Sequence, residues 1–172
     1  MKKIFLMIAL FAITLVHKTT AQTTDAIGLQ QVISSYLSVK NALTKDNGVE
    51  VRAAAKLLYD AIQHVPMDKL TAAQHKVWME YNAKLSYDAE HIKGTDELEH
   101  QREHFSKLSL NIYTMLQALN TNTIDLYYQF CPMANDGKGA YWVSESEIIA
   151  NPYFGKKMLK CGSTKETIKA KQ

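Results

Sequence analysis

Residues 95–119 read TDELEHQREHFSKLSLNIYTMLQAL, and their spacing decides the fold. Leu98, Phe105, Leu108, Ile112, Met115, Leu116 and Leu119 recur close to a heptad, as on a helix that buries one stripe. Thr95 stands where a cap is expected, and Asp96 and Glu97 after it suit the positive end of the helix dipole. Upstream, a third helix opens at the capping box Thr71-x-x-Gln74, carries Val77, Trp78, Tyr81 and Leu85, and closes at Gly94. A second begins at Asn47, with Glu50 three residues on, and runs through Val51, Leu57, Leu58 and Ile62 to Val65-Pro66. The first spans about Asp25 to Leu43, with Ile27, Val32, Ile33, Tyr36, Leu37, Val39 and Leu43 on one face, and ends at Asp46-Asn47-Gly48. Connections of a few residues make sequential helices antiparallel neighbours. The predicted fold is therefore mainly α, an up-down four-helix bundle over residues 22–122.

Downstream of Asn120 the period changes. Ile124, Leu126, Tyr128 and Phe130 alternate as in a half-buried strand, Asn135-Asp136-Gly137 reads as a turn, and Tyr141–Val143 supplies the return strand of a hairpin. Ser144-x-x-Glu147 has the spacing of a capping box for a brief helical turn that Pro152 must end. Residues 123–164 are thus expected to form a small β-hairpin and irregular Cys/Met module packed on the bundle as one domain with it. Residues 165–172 read as a polar, frayed tail.

The chain opens with Lys2 and Lys3, an apolar run from Ile4 to Val16, and Thr19-Thr20-Ala21 before Gln22. These are the three parts of a cleavable export signal, here residues 1–21, and the run is shorter than the ~20 residues a membrane span needs. The expected mature protein starts at Gln22, lies in the periplasm or outside the cell, and has no membrane span. Of the 20 basic and 17 acidic residues, Lys2, Lys3 and Lys18 belong to the signal, which leaves 17 of each sign. Such a balance excludes nucleic acid as a partner, because phosphate neutralisation needs a basic excess. About 150 residues remain, enough to bury roughly 70% of the unfolded surface in a single domain.

Both cysteines fall in the C-terminal module, each with a methionine nearby, in Cys131-Pro132-Met133 and Met158-Leu159-Lys160-Cys161. In an extended segment Cys131 and Met133 point to one side, and in a helical turn Met158 and Cys161 share a face. Thiolate and thioether donors together favour Cu(I) over harder ions. An exported protein with two cysteines can equally use them as a disulfide, whose closure across the intervening segment would contribute about 3–4 kcal/mol. Of the mature histidines, His64, His75, His91, His100 and His104, the last two stand four apart on the fourth helix, a chelating spacing that is also common on solvated faces. His104 flanks the core stripe and could reach a module packed there, whereas His100 sits further toward solvent. Glu99, Arg102 and Glu103 beside them read as surface charge, and Trp142 and Tyr153 as core of the small module. The sequence carries no phosphate loop, nucleophile elbow, zincin motif or Cys-x-x-Cys pair, so a binding protein is expected rather than an enzyme.

The strings Tyr128-Gln129-Phe130-Cys131-Pro132-Met133-Ala134, Tyr141-Trp142, Asn151-Pro152-Tyr153-Phe154-Gly155 and Met158-Leu159-Lys160-Cys161-Gly162 resemble the domain of unknown function 3347 family, as does Gln101–Ser109 in the helix before them. That family occurs in exported proteins and fused to periplasmic adaptors of heavy-metal efflux pumps. The resemblance implies an association with copper or related metal export, and it singles out His104 among the histidines. The resulting expectation is a periplasmic copper(I) chaperone or buffer, with Cys131, Cys161 and Met158 as inner ligands, His104 or Met133 as the remaining donor, and an efflux adaptor or other envelope protein as partner. The alternative is a disulfide-stapled helical interaction module that docks on an envelope partner without binding metal.

Overall fold

The computed structural model describes residues 25–171. The export signal read over residues 1–21 lies outside them, as does Gln172 at the end of the expected tail. Among the described residues four α-helices form: α1 (Asp25–Leu43), α2 (Gly48–Gln63), α3 (Ala72–Lys93) and α4 (Leu98–Leu119). They are followed by three short strands, β1 (Leu126–Cys131), β2 (Ala140–Ser144) and β3 (Ser163–Ile168). Among the described residues no helix is long and apolar enough to cross a membrane.

The caps that start α2 and α3 are the expected ones. Asn47 Oδ1 accepts from Glu50 N at 3.2 Å. At the start of α3, Thr71 and Gln74 exchange both hydrogen bonds of a capping box, so two orphan amides are satisfied together. Thr95 does not cap α4. Glu97 occupies that position without a side-chain bond, while the Thr95 hydroxyl accepts from Glu97 N at 3.0 Å and shapes the turn. Each helix packs on the next, and the stripe Phe105, Leu108, Ile112, Met115 and Leu116 is fully buried. Leu57, expected on the buried face of α2, is instead 63% exposed, because Val51, Ala54, Ala55, Leu58 and Ile62 already fill that face. Gly48 marks a close approach: a Cβ there would collide with the carbonyl oxygen of Asp96, so the start of α2 can lie directly against the α3–α4 turn.

The sheet is antiparallel, with β1 between β2 and β3. The β1–β2 hairpin matches the expectation. Its first strand begins at Leu126 and leaves Ile124 about half exposed. Two further expectations are corrected. Ser144-x-x-Glu147 starts no helix: Ser144 ends β2, its hydroxyl accepts from Ser146 N at 3.1 Å, and the buried Gln129 amide takes the carbonyls of Ser146 and Glu147. Of the tail expected from Lys165, residues 165–168 are not frayed but belong to β3, where Glu166 accepts from Tyr113 and Gln117 of α4 at 2.6 Å each.

The sheet meets the helices mainly through β2, against α4 and α1. Trp142 and Val143 are fully buried there. The Tyr36 hydroxyl of α1 bonds Ser109 of α4 at 2.8 Å and accepts from Val143 N at 3.0 Å, linking all three elements at one atom. Arg102 is more than surface charge. Its guanidinium donates to the Pro152 carbonyl at 2.8 Å, to the Leu43 carbonyl at 3.3 Å and to Asp46, so α4 holds both the α1–α2 turn and the loop after β2.

Candidate metal centre

The α3–α4 hairpin turns within Gly94–Glu97, so residues equally far from the turn face each other across it. His91, in the last turn of α3, therefore comes opposite His100 in the first turn of α4. One turn deeper, Asp88 comes opposite His104. The donor atoms of His91, His100 and His104 all lie within 4.8 Å of one another. The His91 and His104 rings stack at 4.3 Å between centroids, and the His100 ring is 4.7 Å from that of His104. Tyr87, one turn before His91, leans on it at 4.4 Å.

Exposure across the cluster is graded: His100 is exposed, His91 half-buried and His104 buried. His104 Nδ1 lies 2.9 Å from Asp88 Oδ1, itself buried on α3. An ionised carboxylate only accepts, so Nδ1 is the donor in this bond, and in the neutral ring Nε2 is the nitrogen left to bind a metal. Burial pushes the Asp88 carboxyl above its ordinary range, and the hydrogen bond and charge of His104 pull it partly back.

The cysteines meet elsewhere. Phe130 pairs with Ser163 across β1 and β3, which brings Cys161, two residues before Ser163, alongside Cys131 at the end of β1. Both thiols are free, and their sulfurs are 3.1 Å apart. Cys131 is fully buried and Cys161 half-buried. Asn151, buried in the loop after β2, donates from its side chain to the Cys161 carbonyl at 2.7 Å and accepts from Tyr153 N and Phe154 N, so the Asn151 amide fixes the approach of Cys161. The hydrogen bond with Cys131 first, then burial, pushes the Cys161 thiol up from its ordinary value.

Of the five residues expected to share one site, Cys131 and Cys161 come together. His104 is grouped with His91 and His100 and turned toward Asp88. Met158 closes a 3-10 turn, and its carbonyl accepts from Cys161 N at 3.0 Å. Met133 is about half exposed and lines a cleft with Arg102, Tyr153 and Phe154. Sequence reasoning passed over His91 and Asp88. The signal that finds them is their place relative to the Gly94–Glu97 turn: His91 and His100 are equally far from it, and Asp88 and His104 each lie about one helical turn beyond them.

Residues 32–123, just over half of the chain, match the family described as a protein of unknown function (DUF3347). The chain belongs to this family. The DUF3347 match runs from α1 through the end of α4 and stops before β1, so it contains Asp88 and the three clustered histidines, while both cysteines lie beyond it. No curated protein and no solved structure matches the chain.

Proposed function

We propose that this DUF3347 protein is an exported carrier of a soft metal ion, Cu(I), held between Cys131 and Cys161. The observation that carries the proposal is the meeting of two free thiols at 3.1 Å across the end of the sheet, one of them reachable from solvent. Two thiolates give the soft, polarizable donors Cu(I) prefers, and Met158, one turn before Cys161, is the thioether we add to them, with Met133 as the exposed alternative. Binding must displace the thiol protons, and the raised Cys161 thiol extends upward the pH range over which affinity rises with pH. We read the helices as an up-down bundle that serves as rigid support, since each packs on the next across a short connection. Cleavage before Gln22 delivers the chain to the periplasm or the exterior, where it acts as chaperone or buffer beside heavy-metal efflux components. The role is carriage rather than catalysis.

Reduced protein should bind about one Cu(I) per chain against a moderate chelator. Cys131→Ser or Cys161→Ser should abolish that binding, and Met158→Leu should weaken it with the fold intact, since the swap conserves volume. If the reduced protein takes no Cu(I) and the isolated protein is oxidised by intact mass, the pair is a staple and the chain a docking module.

A further inference from the structure

We propose that His91, His100 and His104 form a second metal site, for a borderline divalent ion, Zn²⁺ or Cu²⁺, at the α3–α4 turn. The site is independent of the thiols and stands whether or not Cys131 and Cys161 take Cu(I). Three observations converge on it. The three donor nitrogens come from two helices and lie within 4.8 Å of one another. In a tetrahedral site with metal–nitrogen bonds of about 2.0–2.1 Å the donors stand about 3.3 Å apart, so modest rotation of the His91 and His100 rings closes the set. Neither ring is fully buried, and both can turn.

The second observation is Asp88 behind His104. A carboxylate on the distal ring nitrogen fixes the tautomer, orients the ring and raises the basicity of the ligating nitrogen, the arrangement found behind metal-bound histidines. A buried carboxylate between two helices is costly without such a partner, and Asp88 has its hydrogen bond with His104. The third is the gradient of exposure from His104 outward to His100, which leaves an entry path and an open fourth position facing water. The donor set decides the class of ion. Three imidazoles with no thiolate and no ligating carboxylate suit Zn²⁺ and Cu²⁺, and are poor for Ca²⁺ or Mg²⁺.

The test uses the mature chain carrying both Cys131→Ser and Cys161→Ser, so that the thiols contribute nothing and failure here leaves the Cu(I) titration of the native protein untouched. Titration with Zn²⁺ and with Cu²⁺ should give one equivalent per chain for at least one of them. Co²⁺ should give the visible bands of a nitrogen-ligated tetrahedral ion. His91→Ala and His100→Ala, which remove rings that are not fully buried and should leave the helical circular dichroism intact, should each lower affinity at least about tenfold. Asp88→Asn should lower it by about 10- to 100-fold with the same stoichiometry, because it acts through His104. His75→Ala, at an exposed position near the other end of α3, should change nothing. Absence of binding by both ions, or binding that survives His91→Ala and His100→Ala unchanged, or binding that falls equally with His75→Ala, overturns the proposal.

Discussion

Phe105 is the side chain on which helices and sheet both rest. It is fully buried, stacks on Tyr36 of α1 at 5.4 Å between centroids and meets Tyr153 of the loop after β2 at 5.8 Å. Phe105→Ala should therefore destabilise the protein by about 3–5 kcal/mol in urea unfolding, the usual cost of removing a buried ring. A loss below about half a kcal/mol would mean that the ring is not core. Phe105 was legible in the sequence because hydrophobic period alone places it. His104 was legible as a residue flanking the core stripe, but not in its partners: a histidine's neighbours across a helix hairpin depend on where the turn closes, and the spacing of residues 100 and 104 says nothing about α3. Arg102 looks like surface charge in the sequence because arginine usually is. Its three acceptors, at Leu43, Asp46 and Pro152, come from segments distant in sequence and no local pattern announces them.

Among the elements, α1 to α4 and the β1–β2 hairpin follow from period and punctuation, while β3 does not. Its sequence, Ser163-Thr164-Lys165-Glu166-Thr167-Ile168, offers one well-buried apolar residue, Ile168, and its other side chains are exposed or half-exposed. Charged side chains on an edge strand discourage pairing with other chains, and they also erase the alternation by which a strand is recognised. The loop between β2 and β3 is held by hydrogen bonds centred on Asn151 as well as by the buried Tyr153. Asn151→Ala would strip partners from the Tyr153 and Phe154 amides and from the Cys161 carbonyl, and should cost about 2–3 kcal/mol, since each buried polar group left unpaired costs about 1–3 kcal/mol before water enters. It should also slacken the approach of Cys161 to Cys131, read as a slower formation of the intramolecular disulfide by mild oxidant in the folded protein. An unchanged stability and oxidation rate would show that the loop is held by something other than Asn151.

At the scale of the whole molecule, helices and sheet are joined by ion pairs as well as by apolar contact, and this makes stability depend on pH with a definite sign. Glu145, after β2, bonds the almost fully buried Lys40 of α1 at 2.8 Å and Asn41 at 2.8 Å. Burial pushes the Glu145 carboxyl up, but the hydrogen bonds from Lys40 and Asn41 outweigh it and hold the group below its ordinary value. Asp46 is also held low: burial raises it, and the Lys156 amide and the Arg102 guanidinium lower it by more. A carboxyl depressed in the folded state binds its proton more readily when unfolded. Its contribution is therefore complete above the unfolded value of about 4 and is lost as pH falls through the lower folded value. Asp88, raised by burial, works the other way and favours the folded state below its folded value. With two clamps opposing one raised group, urea unfolding should show stability level from neutral pH to about 5 and falling steeply below about 4. Glu145→Gln should flatten that acid limb while lowering stability at neutral pH, because the Lys40 ammonium then stays buried without its counter-charge. Equal acid slopes in the two proteins would mean that the Lys40–Glu145 pair does not couple sheet to helices and that the junction is held by its other contacts, among them Tyr36, Phe105, Arg102, Glu166 and the apolar face of β2.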